Sequence, residues 1–438
     1  METINFQQNE FYYLSKLLPK SYKKRIIVLG SGFAGISFVK AFVKNIGSKL
    51  DDVELVILTR RVYLTFTPLI YQIATGLLNE HHVLEPIRKR NSDYVIIEAE
   101  IEEINLHDKK VITSLGSIEY DYLIIALGSV SNDLGIKGAF NYAIPLKSVQ
   151  DATKIRNKII ESFEKASILK KDDIKRKSLL TFVIIGGGAT GVELAGSIKD
   201  YVNLLCKRYY NVNSNEAKVV LLEATDRLIY QASEKASKKC KQILEKSGIE
   251  IILNAKVISI EKNKILLSNG SVISSDNIFW TAGIKVNPII EKIPNEVALK
   301  NKGRLVVDRN LKLIGYTDVF AIGDCAYIID GETGQIVPPM ASSAVQEGKY
   351  VAKYLANYFI GKQELNPFKF KDYGLMLSLG RFSGLVDFQN KFVISGFLGW
   401  VLWRMVHLLK ISTIRNKLGI VFDWSMSLLK RRIITRTD

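Results

Sequence analysis

Two short glycine runs carry the residue types best suited to holding an anion. Gly30-Ser31-Gly32-Phe33-Ala34-Gly35 and Gly186-Gly187-Gly188-Ala189-Thr190-Gly191 share a GxGxxG spacing. In such a run the first glycine makes a tight turn and the second lets backbone approach a pyrophosphate. The third lets a helix pack on a strand, with the helix N-terminus facing the phosphates. A carboxylate closing the following strand then reads the ribose. Glu223 ends Val219-Val220-Leu221-Leu222, placed to accept from a 2′-hydroxyl and to repel a 2′-phosphate, which favours NADH over NADPH. The first copy has Thr59, Arg60 and Arg61 at that point. A threonine hydroxyl can reach a ribose, and the arginines can meet phosphate or stack on adenine, or form a solvated basic turn. Glu193, two residues past the last glycine of the second run, is either dipole compensation at a helix start or a group facing the ligand.

These residues need rigid elements to position them. Each glycine run follows a β-branched strand pattern, Arg25-Ile26-Ile27-Val28-Leu29 or Leu180-Thr181-Phe182-Val183-Ile184-Ile185, and opens an apolar helical pattern. Another strand follows each, at 53–58 and 218–222. One glycine run alone is weak evidence, but two in the same strand–turn–helix–strand setting predict two Rossmann-like dinucleotide-binding domains in an α/β chain. The repeat extends further. Tyr122-Leu123-Ile124-Ile125-Ala126-Leu127-Gly128 and Asn277-Ile278-Phe279-Trp280-Thr281-Ala282-Gly283 are each a buried strand ending in a glycine turn, at Gly128 and Gly283.

Composition agrees with folded, anion-facing domains. The 438 residues are 47% apolar, which excludes disorder as the dominant state. Sixty-one Lys and Arg against 44 Asp and Glu imply an anionic neighbour. Cys206, Cys240 and Cys325 lie far apart with no CxxC pair, so neither a disulfide framework nor a redox dithiol is written here. His81, His82, His107 and His407 fit no metal spacing, and no metal is expected. No Ser-His-Asp constellation is visible. The start of the chain is unlike a secretory signal and reads as an extension over 1–24.

Longer runs point to a family. Thr317-Asp318-Val319-Phe320-Ala321-Ile322-Gly323-Asp324-Cys325-Ala326 resembles the second FAD signature of two-dinucleotide-domain flavoproteins. Phe66-Thr67-Pro68-Leu69-Ile70-Tyr71-Gln72-Ile73-Ala74-Thr75-Gly76 is similar to the FxPLLYQxATG segment of the type II NADH dehydrogenases. These are single-subunit NADH:quinone oxidoreductases that do not pump protons. Gly188-Ala189-Thr190-Gly191-Val192-Glu193-Leu194-Ala195-Gly196, Trp280-Thr281-Ala282-Gly283, and Pro338-Pro339 followed by Ala341, Ala344, Gln346 and Gly348 match further segments of that family. The resemblance covers roughly 25–432.

The resemblance implies FAD and NADH as cofactors and a membrane quinone as acceptor. It implies that Gly323 and Asp324 hold the ribityl chain and that Glu193 faces nicotinamide and flavin. A helix from about Met340 or Ala341, with Pro339 in its first turn, would aim positive charge at the reduced flavin. Gln346 would reach a quinone carbonyl. Three departures stand out: Thr59 at the first ribose position, Ser342 in place of the first glutamine of the quinone segment, which leaves Gln346 and Glu347 as its polar residues, and Tyr373 where relatives often have lysine. Two other readings stay open: a sulfide:quinone oxidoreductase, which needs a pair of reactive cysteines at the flavin, and an NADH-responsive flavoprotein redox sensor.

The last fifty residues, 389–438, hold nine Lys or Arg against two Asp, interleaved with Phe397, Trp400, Trp403, Phe422 and Trp424. This mixture suits helices lying in a lipid headgroup region, with an anionic lipid surface as partner. Its apolar content exceeds what nucleic acid binding needs. The alternatives are a helix packed on the core or a short spanning helix over 392–409. The resulting expectation is a peripheral protein on the cytoplasmic face of the cell (inner) membrane, with a homodimer possible. The domains are expected as an extension (1–24), an FAD-binding domain in two parts (25–145 and 284–370), an NADH-binding domain (146–283) and a C-terminal amphipathic helical membrane-association region (371–438).

Overall fold

A computed structural model of the protein describes residues 22–88, 93–363, 365–388, 392–429 and 432–436. Positions 1–21 of the expected extension lie outside these, as do Lys391, Lys430, Arg431 and Asp438 of the C-terminal charge pattern. The elements that carry the site begin with β1 (Lys24–Leu29), α1 (Phe33–Ile46), β2 (Val53–Thr59), β3 (Val95–Glu98) and β4 (Tyr122–Ile125). Then come α2 (Val149–Ser167), β5 (Thr181–Ile185), α3 (Ala189–Cys206), β6 (Lys218–Leu222), α4 (Glu234–Lys246), β7 (Ile249–Ile252) and β8 (Asn277–Trp280). The chain closes with β9 (Val319–Ala321), α5 (Ala341–Phe359), β10 (Leu375–Ser378), β11 (Gly384–Phe388), β12 (Phe392–Gly396), α6 (Phe397–Lys410) and α7 (Ile414–Leu428).

The chain forms two compact units. The first comprises Met1–Leu64, Pro86–Val130 and Lys285–Lys371, and the second Thr65–Glu85, Ser131–Ile284 and Asp372–Asp438.

In the first unit five parallel strands run in the order β9-β4-β1-β2-β3. β1 is apolar on both faces because both are covered, as a parallel sheet requires: Ile26, Ile27, Val28 and Leu29 are fully buried. Phe38, Val39 and Phe42 of α1 pack against the sheet. α5 lies against α1 so closely that a Cβ on Gly348 would overlap the carbonyl of Ala34.

The second unit repeats the plan. Ile144–Pro145, β8, β5, β6 and β7 form a parallel sheet in that order. It adds an antiparallel sheet β10-β11-β12 and the helices α6 and α7. The apolar stretch 392–409 is therefore not one helix. Gly396, at φ 77°, ends β12 and starts α6, whose 14 residues span about 21 Å at 1.5 Å per residue. Among the described residues no helix is long and apolar enough to cross a membrane.

Candidate functional site: two nucleotide cradles

The first cradle sits at the C-terminal end of β1. Gly30 turns at φ +100°, where an added Cβ would lie 2.5 Å from the carbonyl oxygen of Ala126, and its N–H donates to Leu58 O at 2.8 Å. A Cβ on Gly35 would overlap the Gly30 carbonyl, while one on Gly32 would meet nothing within 4 Å. Two glycines thus close the turn, and the third leaves open space beside backbone. Phe33 and Ala34 begin α1 behind it. Thr59 is buried, and its hydroxyl pairs with that of Ser31 at 2.8 Å and reaches Arg61 O at 3.1 Å. It braces the loop from below. Arg60 is exposed, 3.8 Å from Glu100.

Across the same sheet Gly323 turns at φ +76° after β9, and Ser129, beyond Gly128, donates to the Asp324 carboxylate. The Gly323 N–H donates to Glu347 at 2.5 Å. Glu347 is therefore turned into the protein rather than left as a free polar residue. It is 2% exposed, and burial, helped by Asp324, pushes its carboxyl up to about 7 against the pull of the Gly323 N–H. One step along a helix swings a side chain by about 100°, so Gln346 and Glu347 serve different faces. Gln346 makes a two-way bond with the Lys371 backbone, accepting its N–H at 3.0 Å and donating to its carbonyl at 3.0 Å. It also donates to Ser342 O at 3.3 Å. Both amide hydrogens are committed.

α5 begins at Ala341. Pro339 is not in its first turn: Met340 is extended (φ −144°, ψ 164°) and caps the helix. The Ser343 hydroxyl sets that start, accepting from Met340 N–H at 3.2 Å and donating to Pro338 O at 2.7 Å.

The second cradle repeats the first. Gly186 turns at φ +110° and donates to Leu222 O at 2.8 Å. A Cβ on Gly191 would overlap the Gly186 carbonyl, and one on Gly188 would meet nothing. Thr281, next to the Gly283 turn, ties the loop by donating to Ile185 O and Gly186 O at 2.9 and 3.0 Å. Glu223 is anchored within the cradle: it accepts from Gly187 N–H at 2.6 Å and from the Thr225 N–H and hydroxyl at 2.8 and 2.9 Å. Ile229 sits at φ 43°, a strained conformation for a β-branched residue, with its N–H on Gly187 O at 2.8 Å. Nothing in the local pattern signalled it.

Glu193 is the fifth residue of α3, because Gly188 is the N-cap, so it lies past the first turn and past the strongest part of the helix dipole. It is 8% exposed and accepts the Ser378 N–H at 3.0 Å. Burial pushes its carboxyl up to about 8, against the opposing Ser378 hydrogen bond. The segment after Phe66 supplies a buried polar chain in the same unit: Trp424 donates to Gln72 at 2.8 Å, Gln72 to Tyr71 at 2.9 Å, and the Thr75 and Ser197 hydroxyls meet at 2.6 Å.

The chain matches the family model "Pyridine nucleotide-disulphide oxidoreductase" over residues 24–348. It is 33% identical to a probable NADH dehydrogenase of Dictyostelium discoideum, over 94% of this chain and 91% of that protein. It is 30% identical to the type II NADH:quinone oxidoreductase Ndh of Mycobacterium tuberculosis, over 95% and 91%. The chain belongs to the type II NADH:quinone oxidoreductases. The fold agrees: the structure of NDH2 from Plasmodium falciparum in complex with NADH superposes with a TM-score of 0.84 over 94% of this chain and all of that one, at 22% identity.

For a type II NADH:quinone oxidoreductase the cysteines matter by what they do not do. All three are free; Cys240 and Cys325 are buried, and burial pushes each thiol up to about 12, away from a reactive thiolate. A sulfide-oxidising site would need the opposite. Among the described residues no group of His, Cys, Asp and Glu is arranged to hold a metal. Tyr373 is exposed.

Proposed function

We propose that this protein oxidises NADH through a bound FAD and passes the electrons to a membrane quinone without moving protons across the bilayer. The carrying observation is the pair of like cradles with unlike strand ends: hydroxyls at Ser31 and Thr59 in one, the anchored carboxylate of Glu223 in the other. Open backbone at Gly32 and Gly188 fits two pyrophosphates. FAD, when bound, supplies the hydride acceptance and the onward electron transfer.

The chain's own residues do the rest. Gly30, Gly32, Phe33, Ala34, Gly35, Thr59, Arg60, Gly128, Gly323 and Asp324 would hold FAD, with Ser129 steering the Asp324 carboxylate. Ala341 opens α5, whose N-terminal N–H groups favour negative charge. Gly186, Gly188, Gly191, Glu223 and Gly283 would hold NADH. Glu193, neutral near pH 7, offers a proton rather than a charge beside the nicotinamide. Gln346 positions the Lys371 segment on the acceptor side.

Membrane docking is the second part of the proposal. α6 and α7 bury Trp400, Trp403, Ile420 and Trp424 and still leave a second apolar face open. His407 and Asn416 are buried, whereas Phe397, Leu398, Met405, Leu409, Ile414, Leu418 and Phe422 are exposed. With the basic surplus of 389–438, this face suits an anionic lipid surface on the cytoplasmic side; a second copy of the chain is the competing occupant. The test of function is spectroscopic. The purified protein should carry a flavin bleached by NADH and restored by a short-chain quinone, and a slow reoxidation would favour the sensor. Flotation with anionic vesicles tests docking, and salt should weaken it without abolishing it.

A further inference from the structure

The second unit has a partly open cavity of about 20 Å³ between α3, the end of β10 and the helices α6 and α7. Three arginines line it, Arg381, Arg404 and Arg432, with Asp200 as the one carboxylate among its lining residues. Asp200 is already engaged: it accepts the Arg381 N–H at 2.5 Å and lies 3.8 Å from Arg432 Nη2. The Arg432 side chain is 7% exposed, and its Nη1 is buried with no acceptor among the described residues. Arg404 is held between two indoles, its guanidinium carbon 3.9 Å from the Trp400 ring centre and 4.5 Å from that of Trp424. Among the described residues no carboxylate pairs with it. The serines Ser197 and Ser378 also line the cavity.

Two indoles fix the guanidinium plane and leave its N–H edge for an in-plane acceptor. A single water would fill a volume of this size and satisfy Arg432 Nη1, but it would leave the cationic surplus uncompensated. An oxygen carrying negative charge does both. Arginine forks are a donor set that recognises phosphate. We infer that this cavity takes one oxygen of a phosphate group held at its mouth, the group coming from free phosphate or from a lipid headgroup. Only the lipid source rests on the membrane docking proposed above.

The experiment uses the full-length, FAD-loaded protein, with Trp400 and Trp424 as fluorescent reporters. Inorganic phosphate is titrated against chloride at constant ionic strength. Phosphatidylcholine vesicles are then titrated with and without phosphatidylglycerol. The comparison is Arg404→Gln against Arg415→Gln, which removes the same charge from an exposed position on α7 outside the cavity. Arg404→Gln should weaken the response about tenfold and Arg415→Gln about twofold or less. Arg404→Lys, the fallback if the glutamine variant loses its flavin, should fall between wild type and Arg404→Gln because charge remains and the fork is lost.

A response to inorganic phosphate that Arg404→Gln removes supports a free phosphate. A response confined to phosphatidylglycerol vesicles, with the same Arg404 dependence, supports a headgroup. Equal losses in Arg404→Gln and Arg415→Gln overturn the site and leave diffuse surface electrostatics. Silence of the wild type toward both phosphate and vesicles also overturns it. Vesicle failure with a retained, Arg404-dependent phosphate response refutes membrane docking alone. A raised KM for short-chain quinone in Arg404→Gln, with phosphate and vesicle responses unchanged, overturns the inference and gives the cavity to the electron acceptor.

Discussion

The two nucleotide cradles have nearly the same backbone and different chemistry at two equivalent positions. Both first glycines turn at φ near +100° and donate to the end of the neighbouring strand at 2.8 Å. The next strand ends in Thr59 in one and leads into Glu223 in the other. Two residues past the last glycine stand Ser37, half-buried, and Glu193, buried with its carboxyl pushed up to about 8. On the proposed function, the shared backbone takes a pyrophosphate and the differing side chains set which nucleotide is held and where a proton is kept. Fold and specificity are separable here.

The largest test breaks the shared part. Gly35→Ala should cost on the order of 3 kcal/mol and yield flavin-free protein, since its Cβ overlaps the Gly30 carbonyl. Gly32→Ala, with nothing in its way, should fold normally and lose FAD affinity only. Absorbance of the purified proteins with their thermal midpoints separates the two. Equal thermal midpoints for both variants would falsify the division of labour between these glycines.

The next test addresses Glu193. Its carboxyl titrates near 8 when folded and near 4.5 when unfolded, so the folded chain binds the extra proton between those values. Its contribution is most favourable below about pH 4.5, declines as pH rises, and levels off above about 8. Glu193→Gln should flatten that decline and leave the protein more stable than wild type at pH 9. Thermal melts across pH 5–9 check this, and a variant with the same pH slope as wild type would sink it. Buried Glu347 adds a smaller fall of the same sign below about pH 7.

Asp324→Ala removes a charged acceptor worth about 1.5–3 kcal/mol and should loosen FAD by at least tenfold, measured by flavin release on dilution. A variant that stays yellow and active would reduce Asp324 to a local brace for Ser129. The smallest effect is nucleotide choice. Glu223→Gln should narrow the NADH over NADPH ratio of kcat/KM by about tenfold, near 1.4 kcal/mol, through loss of repulsion toward a 2′-phosphate. An unchanged ratio would move selectivity elsewhere in the second cradle.

Local patterns made much of this legible. β6 spans Lys218–Leu222 as the sequence indicates, and α5 starts at Ala341, because strand apolarity and helix starts are written within a few residues. What escaped was long in range or depended on a competing local contact. Glu193 meets Ser378 across 185 positions. The Trp400 and Trp424 rings around Arg404 come from different helices. The pairing of Gln346 with Lys371 depends on where a later loop returns. Pro339 stays outside the helix because Ser343, three residues beyond Met340, decides the cap. The apolar run 392–409 looked continuous because hydropathy does not register a backbone turn at Gly396.

The three unpaired thiols make the protein simple to instrument. Cys240 and Cys325 are sealed inside their units, while Cys206, the last residue of α3, is half-buried; burial raises its thiol too, so access rather than acidity sets it apart. A maleimide at neutral pH should therefore mark Cys206 first, giving a one-site attachment point for a spin label or dye without building a cysteine-free background. A label at the end of the helix that carries Glu193 then reports directly on whether NADH or quinone moves it.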